Sequence, residues 1–267
     1  MKESKLLKKK TEYVPVSGII GDACDYNIYK ETVAEKIRWF LLGAVVSGAV
    51  LYVFYESIII TLIAGIICGI VFIPIHRKSV IEKRKLRLSV QFKSLLEALS
   101  TSIGAGKNVR DSFFGAKEDL SVQYSEDSDI VKEINIINIG LENNVRIEEL
   151  LMNFAKRSGL EDIKSFADVF ATCYKKGGNI NEIIKNTSKI IGDKIEIKME
   201  LETMVSGQKN EQNIMLVMPV IFIIVLKSMG GELVDLTSVV GRLSITGSLL
   251  IFVAAYFISK KILDIKL

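Results

Sequence analysis

Two runs decide how this chain folds: Trp39 to Tyr55, WFLLGAVVSGAVLYVFY, and Ser57 to Ile75, SIIITLIAGIICGIVFIPI. Neither contains a charged residue, and only Glu56 separates them. Each approaches the roughly 20 residues a spanning helix needs, and the two together are far too long for one crossing. They predict a transmembrane helical hairpin over 39–75 that turns at Glu56. The pair does not read as a secretory signal peptide, because a polar stretch precedes it, a second span follows the first and no cleavage pattern is evident. Two more apolar segments lie near the C-terminus. Ile214 to Leu226 (IMLVMPVIFIIVL) runs on to Met229 with Lys227 inside it, and Leu243 to Ile258 (LSITGSLLIFVAAYFI) carries no charge. They predict spanning helices over 213–229 and 243–259, joined by an external loop over 230–242. Lys227 is placed to snorkel to the interface.

Composition agrees with such a division. The chain has 267 residues, 49% hydrophobic and 25% charged, with a mean hydropathy of +0.33. A single soluble domain with that charge fraction has a lower mean hydropathy. Disorder would require far less apolar content, and three cysteines do not make a disulfide-rich module. Apolar and charged residues must therefore be segregated along the chain. The net charge of +4 is too small at this length to indicate a nucleic-acid partner. Cys24, Cys68 and Cys173 have no metal-binding spacing and read as reduced thiols. The one histidine, His76, lies beside Arg77 and Lys78, where it reads as an interfacial side chain.

The basic residues set the expected orientation. Five lysines fall in the first ten residues; Arg77, Lys78, Lys83, Arg84, Lys85 and Arg87 follow the second apolar run; Lys260, Lys261 and Lys266 follow the last. The opposite face receives Glu56 and the loop 230–242, whose charges are Glu232, Asp235 and Arg242. With four spans, the positive-inside rule places a basic tail (1–38), a central region (76–212) and a C-terminal tail (260–267) in the cytoplasm. Within the membrane, Gly65 and Gly69 form GxxxG, and Ala44 and Gly48 are a second small pair four apart. Such pairs let helices approach closely and predict packing within the hairpin.

The central region has helical periodicity throughout. Apolar stripes run through Leu88, Phe92, Leu95, Leu96, Leu99 and Ile103; through Ile130, Ile134, Ile137 and Leu141; through Ile147, Leu150, Leu151, Phe154 and Ala155; and through Ile163, Phe166, Ala167, Phe170 and Tyr174. Ile183, Ile190, Ile197 and Met204 recur every seven residues along a longer helix. These stripes need partner helices, so a helical bundle is expected. Residues 120–129 read as a loop. The whole is thus an all-α integral membrane protein with four spanning helices and a cytoplasmic bundle.

Capping chemistry marks the helix starts. Ser158 precedes Glu161 by three, a capping box; Asn108 precedes Asp111 and Asn179 precedes Glu182 at the same spacing. Gly104 and Gly106 lie just before the first Asn, Gly177 and Gly178 just before the second, each supplying a permissive turn. Gly106-Lys107-Asn108 lines up with Gly177-Gly178-Asn179. Asn144-Val145-Arg146 repeats Asn108-Val109-Arg110 as a third copy.

No catalytic constellation emerges. IGAGKN (Ile103 to Asn108) lacks the first glycine and the Ser/Thr of a phosphate loop, and a helix rather than a strand precedes it. Carboxylate pairs such as Glu161 with Asp162 and Glu200 with Glu202 read as capping or solvated residues. No cofactor or metal is expected, and no enzymatic activity.

Two spans, a helical bundle and two more spans form a frame in which specific stretches have a family likeness. SLLEALSTSIGAGKNVRDSF (Ser94 to Phe113) resembles the opening of the type II secretion system F domain. Cys173 to Phe222, with Gly177 and Gly178 at a turn, a long helix and Pro219 in the following span, resembles its second half. The resemblance covers about residues 85 to 260. A single F domain between paired spans is most similar to the TadB-type platform proteins of the Tad/Flp (type IVc) pilus; the lysine-rich N-terminal tail is a departure. The resemblance implies a multi-pass protein of the cytoplasmic membrane without catalysis. It would bind a hexameric secretion ATPase and pass its conformational work to pilin subunits. A second, TadC-like platform protein or another copy of the chain would be a further partner. Expected partner-facing or purely structural turns are Gly104, Gly106, Lys107 and Asn108 with Gly177, Gly178 and Asn179. The long helix from Asn179 is expected to run into the third span through Gly207. A membrane-anchored scaffold binding a soluble partner through the bundle is an alternative. A small transporter is another, but only Lys227 and Pro219 offer it anything.

Overall fold

The computed structural model describes residues 15–17, 22–29, 31–55, 57–228 and 239–263. The expected turn at Glu56, most of the loop 230–242 and the extreme tails lie outside the described residues. Among the described residues the fold is all-α apart from one small hairpin, and the chain divides into two compact units.

The first unit contains residues 77–196 together with the N-terminal segment. Strands β1 (Pro15–Ser17) and β2 (Asp22–Cys24) pair antiparallel, with Val16 opposite Ala23. This hairpin falls inside the stretch expected as a basic tail, which carries no helical or alternating apolar pattern long enough to predict it. Helix α2 (Ile58–Gly104) supplies its C-terminal half to this unit. There follow α3 (Val109–Gln123), α4 (Asp129–Glu142), α5 (Ile147–Ser158), α6 (Glu161–Lys176) and α7 (Ile180–Met204). The expected loop over 120–129 shortens to 124–128, because Leu120 is buried and keeps its turn helical. Short connections make successive helices antiparallel neighbours, and α3 packs on α4, α4 on α5 and α5 on α6. The first four apolar stripes form one core in which Phe92 meets Phe154 and Phe166 edge-on, with centroids 6.0 and 5.5 Å apart. Tyr174, at the end of its stripe, is 44% exposed and stacks on Phe170.

The heptad stripe on α7 is not the buried one. Ile184, Ser188 and Ile191 face the core, while Ile190, Ile197 and Met204 are exposed. Neighbouring helix positions differ by about 100°, so a seven-residue repeat one position away from Ile184 and Ile191 touches the core only at Ile183, which is partly buried.

The second unit contains residues 33–76 and the chain from 197 onward. Helix α1 (Val33–Tyr55), the first half of α2, α8 (Ser206–Ser228) and α9 (Val239–Leu263) build it. Among the described residues, three helices are long and apolar enough to cross a membrane: Val33–Tyr55, Ile58–Gly104 and Ser206–Leu226. Helix α9 contains a shorter apolar stretch, Thr246–Tyr256. Most large apolar side chains of these helices face outward, which suits a lipid solvent and not water. Val205 alone interrupts the run from α7 to α8. Its N–H still donates to Leu201 at 3.0 Å and its carbonyl accepts from Lys209 at 3.0 Å, so the helical ladder carries on past Gly207.

Candidate functional site

The expected turns gather at one end of the bundle. Residues 104–108 and 177–181 are neighbours there: Ser100 Oγ donates to Asn181 Oδ1 at 3.0 Å, and a Cβ on Gly104 would stand 3.4 Å from Asn181 Nδ2. Asn108 caps α3 by accepting from Asp111 N–H at 2.7 Å, and its Nδ2 donates to the Asp111 carboxylate at 2.6 Å. Asn179 repeats both bonds with Glu182 at 3.2 and 3.3 Å. Gly106 and Gly177 have φ of +90° and +70°, where a side chain is strained. The residue after each donates back five positions, Lys107 to Ser102 and Gly178 to Cys173, which closes the preceding helix. A Cβ on Gly178 would press on Cys173 at 3.2 Å. The Lys107 ammonium folds back to 3.5 Å from the point a Cβ on Gly115 would occupy.

The third turn shares this geometry in a different register. Asn144 has φ +57°, and Val145 donates to Gly140 at 2.9 Å. Asn144 is therefore the counterpart of Gly106 and Gly177, not of Asn108; asparagine tolerates the left-handed conformation. Arg146 takes the cap position without a side-chain cap bond and pairs with Glu149 instead. The expected capping box at Ser158 does not form. Gly159 (φ +60°) ends α5, so Ser158 stays as its last residue with a fully buried hydroxyl that donates to Ala155 and accepts from Leu160 N–H.

In the second unit the small residues face each other. A Cβ on Gly65 would lie 3.2 Å from the Ala44 carbonyl oxygen, one on Gly48 would lie 3.5 Å from Thr61 Cγ2, and one on Gly69 would press on the Phe40 ring at 2.8 Å. These pairs fix an antiparallel register between α1 and α2. Trp39 and His76 stack at one end of it, with ring centroids 3.9 Å apart. Tyr55 and Thr246 share a hydrogen bond of 2.8 Å. Pro219 lies inside α8, where it removes the bond to the Met215 carbonyl.

The most distinctive chemistry lies at the opposite end of the bundle. Glu133 is completely buried one turn into α4. Arg157 grips it through both terminal guanidinium nitrogens, each at 2.6 Å, and Tyr26 Oη donates to the same carboxylate at 2.8 Å. Arg157 also donates to the Cys24 carbonyl at 3.0 Å and to Asn153 at 2.7 Å. A second fork joins Arg84 to Asp129 at 3.0 and 2.6 Å; that guanidinium lies 4.7 Å from the Tyr26 ring centre and donates to Cys24 Sγ at 3.3 Å. Burial pushes both guanidiniums toward losing their protons, but their carboxylate partners outweigh it and hold them charged. Burial, then the negative charges of Glu133 and Asp129, push the Tyr26 phenol well above its usual range and keep it neutral.

Residues 24–27 are the outer layer of this cluster. Tyr26 N–H and Asn27 Nδ2 both donate to the Arg157 carbonyl, at 3.0 and 3.1 Å, which satisfies an orphan acceptor in the buried last turn of α5. Lys85 Nζ bonds Asn27 Oδ1 at 2.6 Å and the Gly159 carbonyl at 3.3 Å. Gly159 has no room for a side chain here: a Cβ would stand 1.9 Å from Asn27 Oδ1.

Half of this cluster is visible in the sequence. Glu133 follows Ile130 by three and precedes Ile137 by four, and Arg157 follows Phe154 by three, so both charges lie on apolar faces. Nothing in the periodicity points to Cys24 or Tyr26. The groups satisfy one another and form an anchor. Among the described residues no cluster of three or more His, Cys, Asp or Glu side chains is placed to hold a metal ion. Comparison with protein-family models, curated proteins and solved structures finds no match to this chain.

Proposed function

We propose that the chain is a multi-pass platform protein of the cytoplasmic membrane, with four spans and both termini in the cytoplasm. In this role it couples a secretion ATPase to the assembly of pilin subunits in a Tad/Flp-type pilus or a type II secretion-like machine. One observation carries the reading. Helix α2 bears both the apolar run Ile58–Ile75 and the core stripe Leu88–Ile103, with no loop between them. A displacement imposed on the bundle is then delivered along a helix to the apolar hairpin, as a mechanical coupler requires. The likeness of Ser94–Phe113 and Cys173–Phe222 to the F domain supports the same role. So do the paired turns around Lys107 and Gly178, which offer an ATPase one composite end of the bundle.

The test is co-purification of the tagged full-length chain in mild detergent from its own cells. The secretion ATPase should accompany it, and Lys107→Glu should lower both ATPase recovery and pilus output at unchanged chain abundance. Cells that lack the chain yet assemble pili normally would overturn the proposal.

A further inference from the structure

One end of the apolar hairpin carries side chains that its packing does not use. Phe40, Ala44 and Gly48 form the stripe of α1 that meets α2, opposite Gly69, Gly65 and Thr61. One turn further along that stripe stands Lys36, which is exposed. At the same end Trp39 stacks on His76, with ring centroids 3.9 Å apart and planes inclined by 24°. Arg38 precedes Trp39 on α1, and Arg77 and Lys78 follow His76 on α2; all three are exposed. Cations from two helices therefore flank one aromatic step. Residues 33–39 and 75–78 hold four cations, Lys36, Arg38, Arg77 and Lys78, against one carboxylate, Glu35.

Little in the chain neutralises them. Lys36, Arg38 and Arg77 have no carboxylate partner among the described residues. Lys78 approaches Glu82 at 3.9 Å, with side chains 69% and 64% exposed, and such a pair in water contributes little. The neighbouring surface is apolar: Ile37, Leu41 and Ile75 are exposed. A free phosphate would engage the cations and leave that apolar surface in water. An amphiphile with an anionic head uses both, its phosphate meeting the ammonium and guanidinium groups and its acyl chains covering the aliphatic side chains. The positive-inside rule accounts for the sign of these charges. It does not require them to flank, from two helices, a stacked tryptophan.

We propose that this end of the hairpin binds an anionic phospholipid, its headgroup phosphate held by the cations that flank the Trp39–His76 step. The inference rests on the reading of α1 and α2 as spanning helices. An indole suits headgroup level, and basic clusters beside spanning helices hold anionic headgroups. Bound lipid would also offset the repulsion among cations that the antiparallel register of α1 and α2 brings to one end.

Trp39 is the only tryptophan in the chain, so its fluorescence reports on the site. The full-length chain is reconstituted in phosphatidylcholine vesicles. A small fraction of the lipid, either phosphatidylglycerol or phosphatidylcholine, carries bromine on its acyl chains near the headgroup. Brominated phosphatidylglycerol should quench Trp39 with an apparent association about tenfold or more above that of brominated phosphatidylcholine, since each cation near the surface contributes about fivefold. Lys36→Gln with Arg38→Gln should remove most of that preference. Lys175→Gln with Lys176→Gln, at exposed cations in the last turn of α6, should leave it unchanged. Equal quenching by the two lipids would overturn the proposal, as would a preference that survives the α1 substitutions or falls as far in the α6 pair. Inorganic phosphate that reverses quenching, where chloride at the same ionic strength does not, would overturn lipid as the occupant. Vesicles made wholly of brominated phosphatidylcholine test the spanning reading separately: an unquenched Trp39 there overturns that reading, and the proposal with it, whereas strong quenching without lipid preference overturns the proposal alone.

Discussion

Replacing Glu133 by Gln is the sharpest test of the buried cluster. The substitution keeps the shape and removes the charge. Arg157 would keep its bonds to the Cys24 carbonyl and Asn153 but would lie buried beside a neutral amide. Its side chain is only 7% exposed, so water does not compensate. Breaking a buried pair from one side costs about 3–5 kcal/mol. For a bundle of this size that is a fall of roughly 10–20 °C in Tm. The assay is far-UV circular dichroism of the full-length chain in detergent, reading the transition of the bundle. A companion variant tells charge from packing. Glu133→Leu with Arg157→Met removes both ions together, and such exchanges are often neutral or stabilising. The Tyr26 hydroxyl and the Cys24 carbonyl would each lose a partner, at about 1–3 kcal/mol apiece. Adding Tyr26→Phe should recover the hydroxyl's share. The reasoning fails if Glu133→Gln costs less than about 1 kcal/mol, or if the triple variant is no more stable than Glu133→Gln alone; either result means that the desolvated charge is not what the pair balances.

Three further outcomes follow from the geometry. Gly159→Ala should destabilise clearly more than Gly106→Ala in the same melts: both glycines have positive φ, costing about 1–2 kcal/mol for a side chain, but only at Gly159 does the new Cβ strike the Asn27 and Lys85 side chains, whereas nothing lies within 4 Å at Gly106. Asn108→Ala should cost about 1 kcal/mol through loss of the α3 cap, and an unchanged Tm would show that Asp111 N–H finds water at no cost. Alkaline pH should weaken the bundle through Tyr26. Its folded-state pKa lies above the ordinary value near 10, so its contribution is complete below pH 10 and is lost as pH rises beyond it. Stability should then fall by up to about 1.4 kcal/mol per pH unit, and Tyr26→Phe should flatten that part of the profile.

What could be read directly was whatever repeats along a helix. The charge-free runs from Trp39 and Ser57, the stripes through Leu88–Ile103 and Ile147–Ala155, and the caps at Asn108 and Asn179 are local patterns, because spacing along one helix fixes which side chains share a face and which atom reaches an orphan N–H. Local patterns also misled where two readings fitted equally well. Ser158 has capping-box spacing, yet Gly159 ends the preceding helix first. Asn144 matches Asn108 in sequence but occupies the place of Gly106 in space. The repeat Ile183–Ile190–Ile197–Met204 is regular, yet the core takes the neighbouring face at Ile184 and Ile191 and reaches only Ile183 of the repeat. Only the tertiary structure brought Cys24 and Tyr26 to Arg84, Glu133 and Arg157. Pairings across 60 to 133 residues leave no period in the sequence, and a charge on an apolar face shows that a partner is needed without naming it. The sequence by itself determined where apolar surface must be buried. The folded chain decided which polar groups could be buried with it, because that depends on a partner arriving from elsewhere at hydrogen-bond distance.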